Sequence, residues 1–375
     1  CAAVDRFPLG IELAAGLTRT LSTAQLARRI DGRLRLLVGG GRDRGGRHSS
    51  LRAALDWSYE LLAEPERVAL RRAAVFEGGY DLDAAELVLV DTDPDSDTVP
   101  DLIDVGDVAP ALTELVDRNL LTLTIGADGS RRFGLLEMVR DYALAHLAAA
   151  AETDAVRTRH LRWCLEYVRA LGSADDFASA DAVRTVFEEW PNLLTALDHA
   201  PGTSRGADGL RLANALNKPW FVRGAFAEAR RHFTALTDAP GAEPAERGWA
   251  LARHGLFALM SGGLDESAEL LDRAAAVADG VGDDALTLTV RFYQGVVATE
   301  QAKLPEAIVA LHAGYTLASR AGIVTRAAAF ADAEGRAHRY SGNADAAVLC
   351  ARTALAASRS VGDDHGASVS LGNLA

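Results

Sequence analysis

The side chains that could carry out catalysis or bind a metal ion are three cysteines and nine histidines. Cys1, Cys164 and Cys350 lie far apart in the chain and follow no zinc or redox motif. The histidines show no H-E-x-x-H spacing, which would place two imidazoles on one helix face, and no G-x-S-x-G motif presents a nucleophilic serine. We therefore expect no catalytic residue and no metal site.

A nucleotide could be bound by a phosphate-binding loop, for which the chain offers one glycine-rich segment. The segment Gly39–Gly46 is rich in glycine, but the loop G-x-x-x-x-G-K-[ST] also needs a lysine that reaches the phosphates. The chain has only Lys218 and Lys303, and neither lies in such a loop. We interpret Gly39–Gly46 as a linker, and we expect this chain neither to hydrolyse ATP nor to bind a nucleotide tightly.

Composition and charge limit the partners. The chain has 375 residues, 49% of them hydrophobic, which is typical of two or three globular domains. Its net charge is −13, although residues 1–50 carry nine arginines against four acids. No apolar run reaches the length of about 18 residues that would span a bilayer, and the scattered cysteines suit a reducing cytoplasm. Because the chain opens at Cys1, we expect it to be a piece of a longer protein.

Residues 206–375 repeat themselves at a fixed interval. Gly255, Gly295 and Gly335 are spaced by 40 residues, and glycine inside a helix is tolerated where another backbone approaches closely. This periodicity predicts a stack of helical hairpins similar to tetratricopeptide repeats (TPR). We expect Gly263 and Gly342 to end the first helix of a pair. A second series, Ala229, Ala268, Ala307 and Ala347, has spacings of 39, 39 and 40 residues. Its last three alanines should supply the opposing small surface.

Residues 48–150 predict a winged helix, in which several helices precede a β-hairpin. The alternating segments Leu120–Ile125 and Arg131–Leu136 should pair across the turn at Gly126–Gly129. The helix before this hairpin, Asp107–Asn119, has a net charge of −2, whereas a helix that reads DNA normally brings positive charge. We therefore expect no direct DNA binding, and we interpret residues 151–205 as a helical connector.

The order of these segments resembles the STAND (NB-ARC-like) signalling ATPases, in particular the AfsR- and LuxR-type bacterial transcriptional regulators. The resemblance implies a mainly α protein in which a phosphate-loop core precedes a small helical subdomain, a winged helix and a repeat sensor. Residues 1–47 would be part of the helical subdomain, and the core itself is missing from this sequence. ATP or ADP, with magnesium, would bind to that core in the full-length protein.

The same resemblance implies two nucleotide-binding residues. Pro8 matches the proline of the family's G-L-P-L motif, which packs near the adenine, although Arg6 and Phe7 replace the glycine and the first leucine. The segment Leu135-Leu136-Glu137 lies where relatives have Met-His-Asp, whose histidine contacts the β-phosphate. Leu136 cannot make that contact, whereas Glu137 retains the acid, so a nearby arginine could take over the contact or the restraint could be weaker.

These features predict a regulatory part of a STAND-type transcriptional regulator. A protein or small-molecule inducer would bind the repeats, the winged helix would couple the nucleotide state to activation, and the active protein would assemble with itself. Two alternatives stay open: a TPR scaffold with a degenerate ATPase core, and the regulatory module of a nucleotide cyclase.

Overall fold

The structure is a computed structural model that describes Ser22, Arg52 and residues 55–91, 102–126, 129–172 and 180–374. Its described residues are mainly helical, with one two-stranded sheet. Two compact units divide the chain: residues up to Tyr167 with Thr185–His199, and Val168–Arg184 with Ala200–Ala375. Apart from Ser22, the helical subdomain predicted for residues 1–47, with its candidate Pro8, lies outside the described residues.

The first part of the described chain begins with helical residues 55–60, and three further helices follow the hairpin and its next helix. Its elements in chain order are α1 (Glu64–Ala73), α2 (Leu82–Val88), α3 (Val105–Asp117), β1 (Thr122–Ile125), β2 (Arg131–Gly134), α4 (Glu137–Ala149), α5 (Thr153–Ala170), α6 (Ala180–Glu188) and α7 (Trp190–His199).

The predicted β-hairpin is confirmed, with shorter strands than expected. β1 and β2 are antiparallel, with Thr122 opposite Gly134 and Ile125 opposite Arg131. Leu120 and Leu121 do not join β1, because both of their N–H groups donate to the carbonyl of Leu115 and close the end of α3. The strand β2 stops before Leu135 because the chain there turns into α4.

Two buried arginines of α1, Arg71 and Arg72, form ion pairs with acids from later parts of the first unit. The Arg72 guanidinium is 1% exposed, lies 2.8 Å from both Glu152 Oε2 and Asp91 Oδ1, and donates to the Leu89 carbonyl at 2.6 Å. Arg71 contacts Glu152 Oε1 at 2.6 Å. Burial alone would raise the pKa of Glu152, but the hydrogen bonds and charges of both arginines outweigh it and lower that pKa. Buried ions need such partners, so the loss of any one of them would leave a buried charge uncompensated.

The second unit is an array of helical hairpins. The helices that start the pairs begin 40 residues apart, at Pro244, Asp284, Val324 and Asp364. The predicted TPR-like solenoid is thereby confirmed. Its helices are α8 (Gly206–Ala215), α9 (Asn217–Arg223), α10 (Phe226–Leu236), α11 (Pro244–Met260), α12 (Leu264–Val281), α13 (Asp284–Glu300), α14 (Leu304–Arg320), α15 (Val324–Tyr340), α16 (Ala344–Ser360) and α17 (Asp364–Leu374). None of the described helices is both long and apolar enough to cross a membrane.

One predicted turn residue in the array was wrong by one position. Gly262, Ala302 and Gly342 have positive φ angles of 82°, 58° and 80°, and each follows the first helix of its pair. Gly263 instead has an ordinary φ and is the N-cap of α12. The left-handed residue that ends the helix recurs every 40 residues. The sequence alignment paired Gly263 with Gly342, 79 residues later, and so it missed Gly262.

The predicted small surface opposite the helix glycines is present only in part. A Cβ on Gly295 would lie 2.4 Å from Leu311 Cδ2, and one on Gly255 would lie 3.0 Å from Leu271 Cγ. Two of these glycines therefore make room for a leucine of the next helix rather than for an alanine. The next backbone comes close at two of the three: a Cβ on Gly335 would lie 3.3 Å from the Ala347 carbonyl oxygen, and one on Gly255 would lie 3.5 Å from the Ser267 carbonyl oxygen.

Candidate functional sites in the winged helix and the repeats

A cleft of about 560 Å³ lies on the winged helix, between the hairpin, the Gly78-Gly79 loop and the start of α4. Both glycines have positive φ angles, 83° and 92°. A Cβ on Gly78 would lie 2.9 Å from Pro191 Cγ, and one on Gly79 would lie 2.9 Å from the Phe133 carbonyl oxygen. Glycine is therefore required at both positions by conformation and by space.

The buried side chain of Asn192 holds this loop in place. Its Oδ1 accepts the Glu77 N–H at 2.7 Å, and its Nδ2 donates to the Gly79 carbonyl at 2.9 Å and to Glu189 Oε2 at 2.7 Å. Thr195 adds a hydrogen bond from its hydroxyl to Glu77 Oε2 at 2.7 Å. Hydrogen bonds from Asn192 and Thr195 of α7 thus hold the Glu77–Gly79 segment that lines one side of the cleft.

Two arginines reach the cleft. Arg132 lies 2.5 Å from Glu189 Oε1 and donates to the Gly79 carbonyl at 3.0 Å. Burial lowers its pKa, but the hydrogen bond and charge of Glu189 prevail, so the net pKa is raised and the guanidinium stays charged. Arg140 donates to the Ala74 carbonyl at 3.1 Å and lies 3.2 Å from Glu77 Oε2. Guanidinium groups placed in this way can bind phosphate or carboxylate groups.

The sequence candidate Glu137 lies in the same cleft. It is exposed in the first turn of α4, and Leu135 also lines the cleft. Leu136 is the N-cap of α4 and provides no side-chain cap. The structure therefore brings Glu137 together with Arg132 and Arg140, which sequence reasoning had not singled out. The sequence analysis had suggested only that a nearby arginine could replace the histidine that relatives have at the position of Leu136.

A second cleft, of about 370 Å³, lies in the repeats and is lined mainly by α15 and α17. Asp332 accepts hydrogen bonds from Ser370 Oγ at 2.9 Å and Asn373 Nδ2 at 3.4 Å. Burial raises the Asp332 pKa, and these two hydrogen bonds oppose that rise. Arg336 lines the same cleft, and its Nε is buried without a hydrogen-bond partner. The cleft thus presents the acids Asp332 and Asp363 and the guanidinium of Arg336 to a polar ligand.

The pair His160 and Cys164 is not a catalytic dyad. Their Nε2 and Sγ atoms lie 3.9 Å apart in the core of the first unit. Burial lowers the pKa of His160 to about 3 and raises that of Cys164 well above its ordinary value. A neutral imidazole beside a protonated, inaccessible thiol packs the core and does not attack a substrate.

Comparison with known proteins finds a domain family that matches part of the first unit. Residues 62–148 match the model of the winged helix-turn-helix domain. The chain is 34% identical over 238 residues to proteins of Mycobacterium tuberculosis and Mycobacterium bovis that are named as HTH-type transcriptional regulators. This match covers 64% of the chain and 26% of those proteins, so the chain spans about a quarter of their length.

Two further proteins are similar. An uncharacterized protein of M. tuberculosis is 37% identical over 173 residues, which is 45% of this chain and 42% of that protein. Among solved structures, a STAND protein with a tetratricopeptide repeat sensor from Pyrococcus horikoshii is 13% identical with a TM-score of 0.42, covering 98% of this chain and 56% of that one. The chain therefore contains a winged helix-turn-helix domain at residues 62–148 and is homologous, over 238 residues, to proteins named as HTH-type transcriptional regulators.

Proposed function

We propose that this chain is the sensor and coupling part of a STAND-type transcriptional regulator. One observation carries the proposal: a winged helix-turn-helix domain is followed in the same chain by helical hairpins with a 40-residue period. Arrays of this kind present extended binding surfaces. A ligand on such a surface changes activity when it binds two conformations of the protein with different affinity.

In this proposal the repeats receive the signal. The cleft around Asp332 and Arg336 has the size and the polar groups of a small-molecule or peptide site. An inducer, either a small molecule or a segment of a partner protein, would pair with the Arg336 guanidinium. Its preference for one conformation of the array would shift the whole regulator toward the active form, which we expect to assemble with itself.

The winged-helix cleft would couple that signal to a nucleotide. Glu137 lies there with Arg140 and Arg132, and Arg140 would take the phosphate contact that Leu136 has no group to make. Pro8 would pack near the adenine. The ATP or ADP, and its magnesium ion, would be bound chiefly by a core outside this chain, so the chain alone would neither hydrolyse ATP nor retain a nucleotide.

The test uses the full-length protein encoded by the gene. We expect ADP to copurify with it, and ATP to favour assembly when residues 206–375 are deleted, as measured by nucleotide release on denaturation and by light scattering. A full-length protein that holds no nucleotide and does not change its assembly with ATP would reject the switch and favour the scaffold. Cyclic nucleotide production would instead favour the cyclase module.

One pair of variants tests the coupling cleft in that same protein. Arg140→Ala should weaken ADP retention by about tenfold or more, because a hydrogen bond to a charged group contributes about 1.5–3 kcal/mol. Arg118→Ala is the matched control, since Arg118 pairs with Glu114 at 2.7 Å on α3 and does not line the cleft. Equal ADP retention in both variants would contradict the role of Arg140.

A further inference from the structure

Three consecutive helices of the array bring two histidines, a glutamate and a cysteine together. Glu334 Oε1 lies 3.1 Å from His312 Nδ1 and 3.8 Å from His338 Nε2. One ligand atom from each of Glu334, His338 and Cys350 lies within 4.8 Å of the other two. His312 is on α14, Glu334 and His338 are on α15, and Cys350 is on α16.

The repeat geometry explains how these side chains meet. Glu334 and His338 are four residues apart on α15, so they share one face of that helix. Gly335 lies between them in sequence, and a Cβ there would lie only 3.2 Å from Cys350 Cβ. The glycine that recurs in each repeat therefore lets α16 approach closely enough to bring its thiol to the Glu334 and His338 side chains.

The surroundings favour a cation at this position. Glu334 is buried, at 7% exposure, and a carboxylate removed from water requires a positive partner. The His338 Nδ1 is buried and has no hydrogen-bond partner. Glu334, His338 and Cys350 thus form a partly buried cluster around one carboxylate, and His312 contacts the same carboxylate from the solvent side.

We propose that His312, Glu334, His338 and Cys350 form a binding site for a zinc ion. Zinc prefers four ligands drawn from cysteine sulfur, histidine nitrogen and carboxylate oxygen, at about 2.0–2.3 Å. Ligand atoms around such a tetrahedron lie roughly 3.4–3.7 Å apart, so modest side-chain rotations would bring Glu334, His338 and Cys350, which lie within 4.8 Å of one another, to ligand positions. His312, 3.1 Å from Glu334, would move in to supply the fourth ligand. Magnesium and calcium, which take oxygen ligands, do not suit a set with sulfur and two imidazoles.

Zinc bound here would link α14, α15 and α16 to one another. The side chain of His312 is 63% exposed, which leaves a path for the ion to enter from solvent. Because the unfolded chain does not hold the four ligands together, binding stabilises the folded array. The site lies between repeats, so the metal content of the cell would set the rigidity of the array.

The experiment titrates the reduced, metal-free chain with zinc against a chromophoric chelator and, separately, with cobalt(II). We expect one ion per chain, a higher melting temperature with zinc, and a thiolate-to-cobalt charge-transfer band. Cys350→Ser should abolish that band and weaken zinc binding by about tenfold or more, and His338→Gln should also weaken it. His365→Gln is the matched control, because His365 is an exposed histidine of the same unit and is not part of the cluster.

A second variant guards against loss of folding. His312→Gln changes a mostly exposed side chain, so it should preserve the helical circular dichroism while it weakens zinc binding. The proposal is overturned if the chain binds no zinc, if Cys350→Ser or His312→Gln binds zinc as the unmodified chain does, or if bound cobalt shows no thiolate band.

Discussion

Asn192 and Glu77 are 115 residues apart in the chain, and the Asn192 Oδ1 accepts the Glu77 backbone N–H at 2.7 Å. The same amide donates to the Gly79 carbonyl and to Glu189. One fully buried side chain therefore ties the loop that lines the winged-helix cleft to the helix α7.

Asn192→Ala should destabilise the first unit by on the order of 3 kcal/mol, because it leaves several buried polar groups without partners. Urea unfolding at neutral pH measures this free energy. Thr195→Val is the graded control: it removes a single hydrogen bond to the half-exposed Glu77 and should cost about 1 kcal/mol. If the two variants lost equal stability, Asn192 would not hold the loop as described.

The buried imidazole of His160 should make stability depend on pH. Burial outweighs the opposing hydrogen bond with Asn192 and, with the nearby positive groups His199, Arg140 and Arg157, lowers its pKa to about 3 in the folded protein, from about 6.5 in the unfolded chain. The unfolded state therefore binds the proton more readily. The stabilisation is complete above pH 6.5 and declines between pH 6.5 and 3, by up to about 1.4 kcal/mol per pH unit.

His160→Gln removes this titration, so its free energy of unfolding should fall less steeply than that of the unmodified chain between pH 6.5 and 5. Comparing the two slopes cancels the contributions of His199 and His254, whose pKa values burial also lowers. Parallel curves for the two proteins would show that His160 titrates normally in the folded state.

Local patterns in the sequence were enough to predict the elements of this fold. The alternation in Leu120–Ile125 predicted a strand, and the interval between Gly255 and Gly295 predicted the repeat, because both signals reflect contacts with near neighbours. The strand ends were missed because Leu120 and Leu121 bond to the end of α3 instead. That competition between a strand and a helix end depends on three-dimensional packing.

The candidate sites were harder to predict, because long-range partners build them. Arg132 is held by Glu189, 57 residues later, and Cys350 meets Glu334 from a different helix. No motif of fixed spacing describes either arrangement. Glu137 was named as a candidate through resemblance to a family, and the nucleotide roles of Glu137 and Pro8 both stay predictions.

Glycines in the repeats should respond in opposite ways to the same substitution. A Cβ on Gly314 would lie 2.1 Å from Cε1 of the buried Phe330, whereas one on Gly280 would meet no atom within 4 Å. Gly314→Ala should therefore destabilise the array by about 1–3 kcal/mol through overpacking. Gly280→Ala should stabilise it by up to about 1 kcal/mol, because alanine favours the helix.

Thermal unfolding of the two variants beside the unmodified chain checks the sign of each change. Both variants add one methyl group to a helix, so they differ mainly in the space that surrounds that group. A gain of stability in Gly314→Ala would mean that α14 and α15 are not packed through Phe330 as they are in the structure.

The match to a winged helix-turn-helix domain suggests DNA binding, whereas the charges of this chain argue against it. The helix before the hairpin, α3, has the acids Asp107 and Asp117 exposed, and its basic neighbour Arg118 is paired with Glu114. Phosphates attract arginine and lysine and repel such a face. We expect fluorescence anisotropy to show no binding of this chain to duplex DNA that survives physiological salt.

The double variant Asp107→Asn with Asp117→Asn tests that electrostatic argument directly. Removing two negative charges should raise weak, salt-sensitive binding to any duplex without creating a preference for sequence, because phosphate contacts add affinity and base contacts add specificity. The matched control is Asp345→Asn with Asp364→Asn, which removes the same charge from exposed positions in the repeats. A sequence-dependent footprint by the unmodified chain would contradict the prediction and make the winged helix itself the output of the regulator.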